Sequence, residues 1–410
     1  MAKSIPIATI VFLLLAISCN KKPKTKEISQ IEYQKILNPD PINAMNNPSK
    51  HAWDLFLQVN HPAKDFKLER GVPDLNKKIG DPGIAVWETW KHAGSEVFLD
   101  NGGTPPVWED FSLDPFLNNK GKTLEASTST LIKNLNEAKV GVSSFEVIQN
   151  FTKTLQEFHG EDGIFGTGGG ETRMNKSTFD FIVENELYNT QGLYKFREDY
   201  LNTPEGKREP LAFDKESIEV KAMWRGFSQD ELDNNLDNRF YVATDSDGKK
   251  YGLTSLHIIT KDVPNWFWCS FRQIDGKEPQ IPEVDNYGPP KELKGTFWEY
   301  YKLSGTQTTF TDPKGDPSLL SDTYIEDGFE HSSCISCHSL SVVGGPGSLL
   351  EDGGTLLFVE PHVIAASYDG RPGQFIGTPE PEWFKNTEGK ENLIPLDFVY
   401  SLSFRAKPKK

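Results

Sequence analysis

Methionine is scarce in this chain and absent where it would be most informative. The four methionines of the 410 residues are Met1, Met45, Met174 and Met223, and none follows residue 223. Cysteine is as rare, with only Cys19, Cys269, Cys334 and Cys337. Four cysteines in a chain of this length exclude a disulfide-dense scaffold, which small domains need because they cannot build a core. Basic residues are outnumbered, 44 Lys and Arg against 59 Asp and Glu, and the net charge of −15 argues against a nucleic-acid face. An acidic surface suits a basic redox partner better. After residue 17 no apolar run is long enough to cross a bilayer. With 36% hydrophobic residues and 11% aromatics, the composition is globular rather than disordered or fibrous.

At the N-terminus Lys3 precedes an apolar run from Ile5 to Ile17 that ends in Ala16-Ile17-Ser18-Cys19. The run has the length of a secretory h-region. A small residue followed by Cys resembles the lipobox of bacterial lipoprotein signals, with Ala16 where Leu is usual. Residues 1–18 are therefore expected to be a lipoprotein signal peptide, with Cys19 as the lipidated residue and 19–45 as a polar tether. A plain signal peptide with an incidental cysteine is the alternative. Either way the chain is expected to be exported, and lipid at Cys19 is its expected membrane anchor.

The densest chemistry lies in His331-Ser332-Ser333-Cys334-Ile335-Ser336-Cys337-His338. Cys334, Cys337 and His338 form a C-x-x-C-H, the attachment pattern of a covalent c-type haem. On a helical turn, positions i, i+3 and i+4 share one face. Two thioethers and an axial imidazole can then reach the same porphyrin. Ser332 or Ser333 is placed to cap that turn. Four zinc ligands (His331, Cys334, Cys337, His338) are a second reading, although structural zinc sites normally join two separated ligand clusters. A redox dithiol is a third, but no βαβ pattern surrounds the motif. The cysteine count leaves Cys269 alone in Trp266 to Phe271, where a buried, inert thiol is expected.

Upstream, the pattern predicts helices over 48–60 (Ala52, Trp53, Leu55, Phe56, Val59), over 83–99 with Trp87 and Trp90, and over 179–188, closed by Asn189 to Gly192. Gly166 to Gly170 lacks the residues of a phosphate loop and reads as a turn. From Ile218 the period changes to two: 218–224, a hairpin of 240–243 with 251–260, then 265–271 and 296–303 make a small antiparallel sheet. A closing amphipathic helix is expected over 396–402. The expected fold is α+β: an aromatic-rich N-terminal region of helices and antiparallel sheet (46–315), then a mostly α-helical haem domain (316–410).

Cys334 to His338, Pro346 and the helix around Phe398 are similar to a cytochrome c domain. More widely, the chain resembles a poorly characterised family of exported bacterial mono-haem cytochrome c-like lipoproteins. The stretches that carry this are Ala52 to Phe56, Val220 to Arg225, Leu256 to Ile258, Trp266 to Trp268, Tyr301 to Gln307, Ser332 to Ser339 and Asp397 to Leu402. The resemblance implies one haem c, a redox partner protein, and a carbonyl from the Gly345-Pro346 turn serving His338. It brings no substrate.

A cytochrome c usually takes its sixth ligand from a Met beyond the haem helix, and here there is none. His362 is the only His after the motif; Met223 and His257, on strands of the sheet, are the other candidates. Met174 follows the glycine stretch, and His51, His61, His92 and His159 read as surface residues. A filled sixth position implies electron transfer, and an open one implies a haem-dependent oxidoreductase of peroxidase or oxygenase type, for which Arg225 beside Trp224 is the only visible distal cation.

Overall fold

The computed structural model describes residues 37–99, 101–114, 169–244, 249–279, 281–325, 331–344, 376–386 and 388–410. Its frame is an antiparallel sheet of seven strands in the order β1-β2-β3-β5-β6-β7, with β4 paired to β5. The strands are β1 (Lys91–His92), β2 (Gly169–Met174), β3 (Ile218–Gly226), β4 (Val242–Thr244), β5 (Lys250–Thr260), β6 (Phe267–Gln273) and β7 (Tyr301–Gln307). Ala222 opposite Leu256, and Leu256 opposite Phe271, put the apolar set on one face. Helix α1 (Pro48–Asn60) packs there. Its Phe56 lies 4.5 Å from the Phe271 ring, and Trp53 lies 4.9 Å from it. These large rings bury enough apolar area to dominate this side of the core.

The other face is polar. Lys221 of β3 stands opposite His257 of β5, His257 opposite Ser270 of β6, and Trp268 opposite Gln307 of β7. Met223, opposite Ser255, is on this face too. Gly170 leaves the room Met223 occupies, since a Cβ there would come within 2.5 Å of its sulfur. The glycine stretch thus ends by opening β2 rather than as a turn.

Three sequence expectations fail locally. Residues 83–99 are a 3-10 turn (Val86–Thr89), strand β1 and a π-helical turn (Ala93–Val97), not one helix. There the burial of Trp87, Trp90, Lys91 and Glu96 outweighs helical propensity. Helix α2 runs over Lys176–Glu184, and Asn189 does not close it but caps a further helix α3 (Thr190–Asn202), accepting from the Gly192 amide at 2.9 Å. Finally, Leu396 to Val399 are not helical.

The expected mostly helical C-terminal region is wrong. Among the described residues beyond 316, regular α-helix is confined to α4 (Cys334–His338) and α5 (Tyr400–Arg405), with the strand pair β8 (Val342–Val343) and β9 (Ile394–Pro395) between them. Each helix is too short to hold itself together. Instead, Cys334, Ile335, Val343, Ile394, Leu396, Val399 and Leu402 join the same apolar core as the sheet. No described helix is long and apolar enough to cross a membrane.

Candidate functional site

Helix α4 is one turn of chain pinned from three sides. Ser333 caps it, its Oγ accepting from the Ser336 amide at 3.3 Å. Gln307, at the end of β7, spans the same cap: its Nε2 donates to Ser333 Oγ (2.7 Å) and its Oε1 accepts from the Ile335 amide (3.0 Å). The Cys334 amide and thiol both donate to the Leu320 carbonyl, at 3.1 and 3.0 Å. The segment around Leu320 is itself held by Asp322. This buried carboxylate accepts from Ser255 Oγ (2.6 Å), Ser270 Oγ (3.5 Å) and the amides of Tyr324 and Ile325. Burial pushes its pKa up while these bonds oppose the shift.

His338 projects from this turn between two rings, Trp268 at 4.6 Å and Tyr400 at 4.8 Å. Its Nδ1 lies 2.8 Å from the carbonyl oxygen of Phe398. A carbonyl only accepts, so Nδ1 carries the proton and Nε2 keeps its lone pair. That is the tautomer a metal-ligating imidazole needs, and a hydrogen bond of this kind raises its basicity. Burial lowers the His338 pKa to about 4, so the ring is neutral near pH 7; the bond to Phe398 opposes this and the charge of Lys221 adds to it. The Tyr400 hydroxyl donates to the Cys337 carbonyl at 2.7 Å and lies 3.9 Å from its sulfur.

The expected residues thus fall into three groups. Cys334, Cys337 and His338 share one turn, as their spacing requires. His257 and Met223 lie on the sheet face that Trp268 shares. Their strand positions make them diagonal neighbours, about 7–8 Å apart. Burial first, then the charge of Lys221, hold the His257 pKa well below its ordinary value, and the His338 imidazole disfavours a second proton beside it. His362, Cys19, His159 and the Gly345-Pro346 turn lie outside the described residues. The carbonyl that serves His338 comes from Phe398, 60 residues downstream.

Other expectations are corrected. His51, His61 and His92 are buried, not surface residues. His51 pairs with Asp262 at 2.8 Å, His61 with the Asp74 carbonyl at 2.9 Å, and His92 Nδ1 with Ser95 Oγ at 2.8 Å. Arg225 is committed to Glu231 (3.0 Å) and lies over Phe227 and Phe240, so it offers no distal cation. Met174 is fully buried at the end of β2. Cys269 is buried, its thiol donating to the Ile258 carbonyl at 3.5 Å, and burial raises its pKa.

The donor set fits a haem better than zinc. Two thiols and an Nε2 lone pair stand at positions 334, 337 and 338 of one turn. Yet among the described residues no three His, Cys, Asp or Glu side chains converge as a metal ion requires. The Cys334 sulfur is turned to Leu320 and that of Cys337 to Tyr400.

Sequence reasoning missed Phe398, Tyr400, Gln307 and Asp322 as parts of the site. Phe398 acts through its backbone and leaves no side-chain signature, and Gln307 ends a strand of mixed polarity, Tyr301 to Gln307, in which it does not stand out. No protein-family model matches the chain, and no curated protein or solved structure matches it either.

Proposed function

We propose that the chain carries one haem c, bound through Cys334 and Cys337 with His338 as the proximal ligand, and passes single electrons to a redox partner protein. The observation that supports this most is the His338 Nδ1 contact with Phe398, which leaves Nε2 free for iron on the turn that carries both cysteines. Haem iron with an axial imidazole supplies one-electron chemistry. The chain's own residues orient that imidazole: Trp268 and Tyr400 flank the ring, and Ser333 and Gln307 fix the turn. His257 and Met223 are the described residues offered to the second axial position, with His362 the third candidate. We place the protein outside the cytoplasm, anchored by lipid at Cys19.

A second reading, a haem-dependent oxidoreductase, is favoured by Lys221 and His257 beside His338, since a cation and a neutral imidazole can serve a bound small molecule. Co-expression with a cytochrome c maturation system is expected to give a pyridine haemochrome spectrum of two-thioether haem. That spectrum is lost in the Cys334→Ala/Cys337→Ala protein. Covalent haem retained in the double variant would sink the proposal. A low-spin spectrum indifferent to cyanide and carbon monoxide supports the carrier, and high-spin iron that binds either supports the oxidoreductase.

A further inference from the structure

Five non-glycine residues have left-handed φ among the described residues, and three of them meet around Lys261. Trp266 (φ 61°) opens strand β6, two residues before the Trp268 that lies on His338. Asp397 (φ 49°) and Phe398 (φ 69°) are consecutive. L-residues with side chains adopt this conformation only when their surroundings impose it, and such strain gathers at functional sites. Here the surroundings are specific. The Lys261 ammonium donates to Asp397 Oδ1 at 2.5 Å and to the Pro264 carbonyl at 2.6 Å, and it lies 5.7 Å from the Trp266 ring centre. Asp397 Oδ2 accepts from the Phe213 amide at 2.8 Å. Both charged side chains are more than nine-tenths buried. On the far side of the turn, the Leu396 amide donates to the Ser341 carbonyl at 2.8 Å and Ser341 Oγ donates to the Val399 carbonyl at 3.0 Å. The Phe398 carbonyl is left pointing at His338.

We propose that Lys261 and Asp397 are positioning residues for His338: their buried ion pair locks the left-handed Asp397-Phe398 turn and so fixes which imidazole nitrogen carries the proton and how the ring faces the iron. The idea rests on the haem reading for its purpose but not for its geometry. Without the ion pair, the turn relaxes to right-handed or extended backbone, the carbonyl swings away, and His338 loses the partner that selects its tautomer. The same lysine also holds the entry to β6, so the carbonyl and the Trp268 ring are set by one residue.

The test uses the full chain with ¹⁵N-labelled histidine, expressed without the maturation system. In the wild-type protein His338 is expected as the Nδ1–H tautomer; an Nε2–H signal overturns the proposal with no variant needed. In Lys261→Met and Asp397→Asn the tautomer ratio is expected to move at least tenfold toward Nε2–H, while Lys261→Arg keeps the wild-type ratio. Near-UV circular dichroism identifies the folded variants, and a folded Lys261→Met with an unchanged ratio also overturns it. In the haem-loaded protein, the weaker imidazole is expected to raise the reduction potential, a tenfold change in oxidised-to-reduced ratio being 59 mV. A chain that shows the Nδ1–H tautomer and its dependence on Lys261 but never acquires haem sinks the haem reading and leaves the positioning role standing.

Discussion

Glu219 shows at one residue what this fold asks of its polar groups. It lies on β3 opposite Ile259, on the polar face of the sheet, with Oε1 buried and without a hydrogen-bond partner among the described residues. Burial raises its pKa from 4.5 to about 8, with the nearby Arg405 pulling the other way. The folded state therefore keeps a proton that the unfolded chain releases above its ordinary pKa. Stability from this group is fullest below about pH 4.5 and is lost as the pH climbs to about 8, at up to about 1.4 kcal/mol per pH unit. Glu219→Gln removes that loss. The variant is expected to match wild type near pH 4.5 and to gain steadily on it toward pH 8 in urea unfolding. Parallel stability curves would refute the assignment.

Among the elements, the central strands were legible, whereas β1, β2, β8, β9 and the turns were not. Alternation placed β3, β5 and β6 because side chains on a pleated strand must face alternately two environments, and Val220, Ala222, Leu256 and Ile258 share the apolar one. The Ser333 cap was equally readable, being a local interaction. Residues 83–99 and 396–399 were misread for one reason: their conformation is set by long-range partners. The Trp90 carbonyl accepts from Arg173, 83 positions away, Glu96 from Arg70, 26 away, and Asp397 from Lys261, 136 away. The C-terminal region looked helical because α4 and α5 are helical, but of the described residues between them Val343, Ile394, Leu396 and Val399 join the apolar core of the sheet. Asp322 makes that docking testable. Asp322→Ala strands Ser255, Ser270 and two amides, and is expected to cost about 3 kcal/mol or more. It should also loosen α4, read as lost hydrogen-exchange protection at the Cys334 amide. Unchanged protection there would separate the Asp322 latch from the motif.

Across the whole molecule, the N-terminal half is tied together by charge buried out of reach of water. Arg70, Lys91 and Arg173 face Glu96, Asp114 and Glu171. Every side chain in the group is at most 3% exposed. Such a network is weak evidence for net stability, yet breaking it is costly, because each removal leaves a buried charge uncompensated. Arg173→Met leaves three carboxylates with two cations and is expected to lower unfolding free energy by about 3–5 kcal/mol in chemical denaturation. A loss below about 1 kcal/mol would mean that the carboxylates take up protons instead.

The distance along the chain between His338 and Phe398 has a consequence for assembly. A ribosome builds the chain N-terminus first, so when His338 is added the carbonyl that will hold its imidazole is still 60 residues from being made. During that interval Phe398 and Tyr400, the downstream partners of His338 and Cys337, are absent, which would leave both open to the haem-attaching enzyme that the proposed function requires. Asp397, Phe398 and Tyr400 arrive last and close around the finished site. On the proposed function, loading would precede locking in the order of synthesis.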